Sequence, residues 1–378
     1  MKVGIMTFVD HKNYGNRLQN YALQEFLKKF GFEVETIRND KWYDTHFLTE
    51  NLLDKSKRLA RRYFWKIYRL VDPEDRLQGY ELLSAYNVKK RIQVIKAFTK
   101  RHIKMTDFII REGDDYNVKL ERYTYVFMGS DQIWNPLMGG ASELFFLPLI
   151  KTERKIIFSA SIGLSRIPER FLEQWRYYLS TVSYISVRED SAVRIIKEMG
   201  KDAQKIVDPT LLLENSYYDK LVDESALDFS SDYLCVCLLG DTNTATRNSI
   251  RALAESCNLD VVDVYDKGII FGVEDYLYII KNAKCVITDS FHACIFSIIF
   301  KTPFSVIKRE GKYNNIYSRV EDLLKTFSLS NRECCDINKA NMASFTNEEI
   351  RSIEEKRKIY LERAYRFVRK ACNLNEDE

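Results

Sequence analysis

Histidine is scarce, four residues in 378, and the cysteine, apolar and charge patterns that mark several protein classes are missing. The eight cysteines include no CxxC pair; Cys235 and Cys237 share one face of a predicted strand, and Cys334 and Cys335 are adjacent. Reduced, mostly buried thiols are therefore expected, rather than a disulfide frame or a zinc site. No apolar run approaches the ~18 residues of a membrane span. The opening, MKVGIMTFVD, is too short in apolar length for a signal peptide and reads as a first strand, so a cytoplasmic protein is expected. Net charge is only +4 from 58 basic and 54 acidic residues, which gives no argument for nucleic acid as a partner. With 46% hydrophobic and 30% charged residues the composition is that of an ordinary globular protein, and the length suits two or three domains.

What is present is alternation. A strand over 3–8 is followed by a loop and by a helical pattern of Leu18, Tyr21, Ala22, Phe26, Leu27 and Phe30, closed by Gly31; a strand over 34–37 completes a parallel unit with a right-handed crossover. Strands are predicted over 123–128, 155–158, 185–187 and 206–213, and a polar stretch over 215–232 reads as a linker. A second alternation of strands and helices follows, with strands over 233–239, 259–264, 284–288 and 304–307. The expected fold class is α/β, two Rossmann-like doubly wound domains facing a cleft. Their expected extents are 1–214, with a helical insertion at about 52–104, and 215–343, followed by a C-terminal helix and tail over 344–378. Within the insertion, residues 55–70 interleave Lys and Arg with Tyr63, Phe64, Trp65 and Tyr68. That segment reads as a solvated helix or as a contact with the inner face of an anionic membrane.

Chemistry concentrates at the carboxyl ends of the predicted strands. The stretch KCVITDSFHACIFSIIF, 284–300, is a buried strand turning directly into a buried helix, with Asp289, Ser290 and His292 between them. A helix start leaves backbone N–H groups unpaired and favours an anion, so His292 stands where an anionic ligand is expected; the other reading is a cap by Asp289 or Ser290 with His292 packed. The loop HKNYGNRLQN places Asn13, Gly15, Asn16 and Arg17 at the end of the first strand, as ligand contacts or as a structural turn. After the strand over 123–128, Gly129 permits close backbone approach and Asp131 can orient a hydroxyl. Trp134 there can stack on a sugar ring or plug the core. Arg188, Lys308, Arg309 and Arg319 follow other strands, and arginine forks match phosphate and carboxylate. An anionic substrate in the cleft is the inference.

Taken in order, NYGNRLQNYALQ, VFMGSDQIWNP, FSASIG, SVREDSA, VDPTLLL, ITDSFHACIFSIIF and SRVEDLL resemble the polysaccharide pyruvyl transferase family over about residues 1–330. The resemblance implies a fold like that of GT-B glycosyltransferases. It also implies transfer of pyruvyl from phosphoenolpyruvate to two hydroxyls of a sugar in a surface-glycan precursor, forming a cyclic ketal. By the same resemblance His292 matches the family's active-site histidine and Arg188 a donor-binding arginine. Members often read Arg-Leu-His where this chain has Ser290-Phe291-His292, and Gly where it has Ala293. Either Lys308, Arg309 or Arg319 replaces the missing charge, or the donor differs. In the implied scheme His292 protonates the donor, Ser290 lies on the donor side and Asp131 handles an acceptor hydroxyl beside Asn13, Gly15, Asn16, Arg17 and Trp134. The acceptor is a sugar or lipid-linked oligosaccharide, and no metal or cofactor beyond the donor is called for. A nucleotide-sugar glycosyltransferase of the same architecture, or a non-catalytic glycan-assembly protein, are the alternatives.

Overall fold

The computed structural model describes residues 1–39, 77–138, 142–240, 244–265, 269–308, 317–334 and 336–375. The segment over 55–70 and Arg309 lie outside these.

Two parallel sheets carry the fold. The first is built from β1 (Lys2–Met6), β2 (Glu33–Asn39), β3 (Met105–Ile110), β4 (Tyr125–Met128), β5 (Lys155–Ala160), β6 (Tyr184–Val187) and β7 (Gln204–Lys205), in the order β3-β2-β1-β4-β5-β6-β7. The second holds β8 (Tyr233–Cys237), β9 (Asp260–Asp263), β10 (Cys285–Thr288), β11 (Phe304–Ile307) and β12 (Glu333–Cys334), in the order β12-β11-β10-β8-β9. β5, β8 and β10 are buried along their whole length, as expected for strands covered on both faces. The connections are helical: α1 (Tyr14–Lys28), α2 (Leu77–His102), α3 (Asn117–Leu120), α4 (Leu172–Ser180), α5 (Asp190–Glu198), α6 (Asn215–Val222), α7 (Thr244–Ser256), α8 (Val273–Asn282), α9 (Phe291–Phe300), α10 (Ser318–Thr326) and α11 (Asn347–Ala371). This is the expected α/β class, two Rossmann-like units.

Several expectations need correction. The stretch over 206–213 is not a strand: β7 ends at Lys205, and Pro209–Leu211 forms a 3-10 turn capped by Asp208, whose side chain accepts from the Thr210 N–H. The polar stretch expected to be a linker contains α6, whose Tyr218, Leu221 and Val222 are buried. β3 and β12 carried no sequence signal strong enough to be recognised.

The two halves are packed together by α1, α2 and α11. Tyr14 of α1 donates to the Phe271 carbonyl at 3.0 Å and stacks on Tyr276 of α8, ring centroids 4.9 Å apart. At the end of α2, Arg101 and His102 face Glu224 and Glu274 of the second half; Arg101 pairs with both carboxylates, so this His-Glu-Glu group already has its countercharge. α11 starts beside the second sheet with a capping box of Thr346 and Glu349 and returns to the first. There Tyr365 meets Phe26 and Phe30, and Phe367 meets Phe158. One apolar core runs from β1 and α1 to α8, α9 and α11. No helix among the described residues is long and apolar enough to cross a membrane.

Candidate functional site

Each sheet reverses its strand order once, and such a reversal opens a crevice at the carboxyl ends where open α/β sheets take ligands. In the first sheet it falls between β1 and β4. The loop after β1 enters α1 through Asn13, whose side chain caps the helix by accepting the Asn16 N–H at 3.2 Å. Asn16 in turn accepts the Asp10 N–H at 2.9 Å and donates to Asp131 Oδ2 at 2.7 Å, tying the two sides of the crevice together. Asp131 has φ of 65°, a left-handed setting that aspartate tolerates better than most residues. Two residues earlier Gly129, at φ of 139°, lies against the Phe158 carbonyl, where a Cβ has no room. In the second sheet the reversal falls between β8 and β10, and there the Asp289 carboxylate accepts the N–H groups of Leu239 at 2.7 Å and Gly240 at 2.8 Å.

α9 begins at Phe291, so His292 is in its first turn with Ser290 as the cap. The ring reaches across to α1 and packs on Gly15, where any Cβ would overlap it. Gly15 is thus a helical residue that makes room for His292 rather than the turn expected from the sequence. His292 Nε2 stands 3.8 Å from Asp208 Oδ2. The same oxygen accepts from Arg188 Nη1 at 2.5 Å and from Ser130 Oγ at 3.3 Å. Arg188 also lies 3.5 Å from Glu189 and 3.8 Å from Asp131. Ser161 donates to Glu189. The guanidinium carbons of Arg188 and Arg319 sit 4.4 Å and 5.3 Å from the Phe291 ring centroid, so two cations from different halves of the chain meet on one aromatic ring.

This cluster is almost closed: Arg188, Asp131 and His292 are 3%, 4% and 7% exposed. Burial pushes the His292 imidazole down to about 4; Arg188 and Arg319 add to that, while Asp208 and Asp131 oppose it. For Asp131, burial alone would raise the carboxyl, but Arg188, His292, the Asn16 hydrogen bond and Arg319 outweigh it and hold the group below its usual range. Burial raises Glu189. Against burial, Asp208, Glu189 and Asp131 hold Arg188 above its ordinary value. Among the described residues, Arg188 Nη2, His292 Nε2 and Glu189 Oε2 are buried with no hydrogen-bond partner. Buried polar atoms are seldom left so, and a guanidinium and an imidazole nitrogen left together suit an anion.

A sequence profile of the family described as polysaccharide pyruvyl transferase matches residues 13–311, which contain Arg188 and His292. The chain belongs to the polysaccharide pyruvyl transferase family. Among solved structures it is similar to UDP-N-acetylglucosamine 2-epimerase from Rickettsia bellii, with 11% identity over 99% of this chain and 97% of that one and a TM-score of 0.50. It also matches UDP-GlcNAc 2-epimerase from Methanocaldococcus jannaschii, with 11% identity over 96% and 93% and a TM-score of 0.48. At such identities the likeness concerns the fold, which is GT-B-like. Comparison with curated proteins returns no match.

The residues expected to serve this pyruvyl transferase family member divide into three groups. His292, Arg188, Asp131, Arg319, Asn16 and Gly15 come together around Phe291 and Asp208. Asn13 and Ser290 cap the helices that aim them. Arg17, Trp134 and Lys308 stand elsewhere. Arg17 is fully buried and donates to the Phe8 carbonyl, Asn16 and Asn20, which makes it part of the frame. Trp134 offers no open face to a sugar: it stacks on Phe146, meets the edge of Trp175 and donates to the Phe145 carbonyl at 3.0 Å. Lys308 lines a neighbouring cavity of about 1040 Å³ between the two halves, with Tyr317 and Ser318 facing Leu164 and Arg166. Sequence reasoning missed Asp208, Glu189 and Phe291 as members of the cluster. Asp208 carried a visible signal, Asp-Pro at a strand end, but the signal of a turn.

Proposed function

We propose that the protein transfers the pyruvyl group of phosphoenolpyruvate to two hydroxyls of a glycan acceptor, giving a cyclic ketal and phosphate. The observation that carries this is the pair of buried nitrogens left without a hydrogen bond, Arg188 Nη2 and His292 Nε2, brought together from the two halves of the chain. The donor is a trianion, and its carboxylate and phosphate match Arg188 and Arg319. Arg319 reaches Phe291 from α10 and supplies the positive charge that Ser290 does not. Ligand-free, the imidazole is held neutral by burial; a trianion beside it opposes that and lets it take up a proton.

Transfer of that proton to the methylene carbon turns CH2 into CH3 and leaves the adjacent carbon electrophilic. The first hydroxyl adds, oriented by Asp131 through the Asn16 bridge, and its proton goes to His292, which the previous step left neutral. The second hydroxyl displaces phosphate and its proton leaves on the phosphate, so one donor and one diol give one ketal and one phosphate. Asp208 positions the pair, since one oxygen of its carboxylate faces both Arg188 and His292.

A nucleotide-sugar donor has less support. The Leu239 and Gly240 amides at the second crevice, natural donors to a nucleotide phosphate, are already bonded to Asp289. We expect phosphoenolpyruvate to raise the unfolding temperature and nucleotide sugars to leave it unchanged. His292→Ala should lower acceptor-dependent phosphate release by two or more orders of magnitude. Near-normal turnover in that variant would sink the role of His292, and stabilisation by a nucleotide sugar alone would replace the pyruvyl donor.

A further inference from the structure

A second cavity, of about 900 Å³, lies between α2 and the carboxyl ends of β1 and β2. Among the described residues that line it, five are cationic, Lys12, Arg38, Lys96, Lys100 and Lys104, and one is acidic, Asp10. Asp10 does little to balance them: it is 2% exposed, and its carboxylate is turned to the Lys12 N–H at 2.8 Å. Lys104 is paired with Glu33 at 2.7 Å, whereas Arg38, Lys96 and Lys100 are exposed and form no ion pair among the described residues. A concave wall of one sign focuses its field and concentrates counter-ions. The floor is apolar, from Ile92, Ile103 and Met105, so the wall and floor together suit an ester with a charged head and an uncharged remainder.

The cavity is not separate from the candidate site. Its Asp10 is joined through the Asp10 N–H to Asn16, and Asn16 donates to Asp131. A ligand anchored here by its charged end would extend along the β1 loop toward Asp131, the residue placed on the acceptor hydroxyl. His11, on the same wall, is held neutral by burial and by Arg17 and Lys96, its pKa lowered to about 4, and so adds a hydrogen-bonding group rather than a sixth charge.

We propose that this cavity binds a phosphate or diphosphate ester, the charged handle by which the acceptor glycan is carried. The identity of the ligand as an acceptor rests on the pyruvyl-transfer reading; the anion site itself does not.

Calorimetric titration of the full chain with inorganic pyrophosphate tests it. We expect saturable binding, weakened at least tenfold in Lys96→Ser/Lys100→Ser, retained in Arg188→Lys, and falling with added salt. Phosphoenolpyruvate should show the reverse dependence, lost in Arg188→Lys and kept in the double lysine variant. Absence of saturable pyrophosphate binding, or binding lost in Arg188→Lys and kept in the lysine variant, would overturn the proposal. Uridine diphosphate and geranyl diphosphate then separate a nucleotide carrier from a lipid carrier: tighter binding of either than of pyrophosphate supports the handle. Weaker binding of both overturns it. If pyrophosphate binds the cavity while phosphoenolpyruvate binds nowhere, the pyruvyl reading falls and the anion site stands.

Discussion

Arg17 and Arg188 are both buried at the carboxyl edge of the same sheet, yet they are held in opposite ways. Arg17 spends its guanidinium on the Phe8 carbonyl and on the side-chain oxygens of Asn16 and Asn20, largely neutral acceptors, and burial lowers its pKa to about 10. Arg188 sits among Asp131, Glu189 and Asp208, is held above its ordinary value despite burial, and still leaves Nη2 without a hydrogen bond. A cation whose donors are all taken braces a fold. One that is overmatched in charge but unfinished in geometry is fitted for a further, exchangeable partner. The sequence placed both arginines in the ligand loops, Arg17 on the acceptor and Arg188 on the donor, and nothing in residue type separates them.

The same substitution at both sites gives the largest effect and tests the contrast directly. Arg17→Lys removes the fork that serves three oxygens, leaving buried acceptors unmet, and should cost about 3 kcal/mol of stability in denaturant unfolding. Arg188→Lys keeps a charge beside Asp208, so it should unfold closer to the wild type while losing most of its affinity for phosphoenolpyruvate. The reverse outcome, a stable Arg17→Lys that no longer binds the donor, would break the comparison.

Gly15 sharpens it from the other side, because it is the contact through which the first half of the chain seats His292. Gly15→Ala puts a methyl into the imidazole, and overpacking of this kind costs about 1–3 kcal/mol. The ring must move from Asp208, so acceptor-dependent phosphate release should fall by more than the stability change accounts for. A variant with full turnover would show that the ring position is immaterial.

The smallest effect is on pH dependence. The His292 pKa is about 4 folded and near its ordinary 6.5 unfolded, so the unfolded chain binds the extra proton between those values. The stability contributed by the neutral ring is present above 6.5 and is lost as pH falls toward 4, at no more than about 1.4 kcal/mol per pH unit. His11 shifts in the same direction, so the measurement is the difference in slope between wild type and His292→Gln. The wild type should be the steeper, and phosphoenolpyruvate should flatten it by raising the His292 pKa. Equal slopes would mean that the ring takes up its proton in the folded protein as readily as in the unfolded chain.

Much of the fold was readable because its signals are local. The strand over 304–307 has the predicted bounds, and the strand expected over 284–288 is one residue shorter in β10. Apolar periodicity and terminal residues are properties of a few neighbouring positions. The two-residue β7 and β12 were not readable, since so short a strand owes its existence to the neighbour it pairs with. Family motifs marked His292 and Arg188, but the role of Trp134 could not be read from its type, because a face is open or covered according to distant residues, here Phe146 and Trp175.

By itself the sequence determined two alternating α/β halves, strand ends rich in polar side chains, and the family to which their order belongs. Only the tertiary structure decided which of those side chains meet. Asp131, Arg188 and Asp208 come from separate strand ends of one sheet, His292 and Arg319 from the other half, and Gly15 is needed for them to touch. Charge, burial and an unfilled hydrogen bond are relations among residues far apart in the chain, and a linear order carries them only once packing has set the distances.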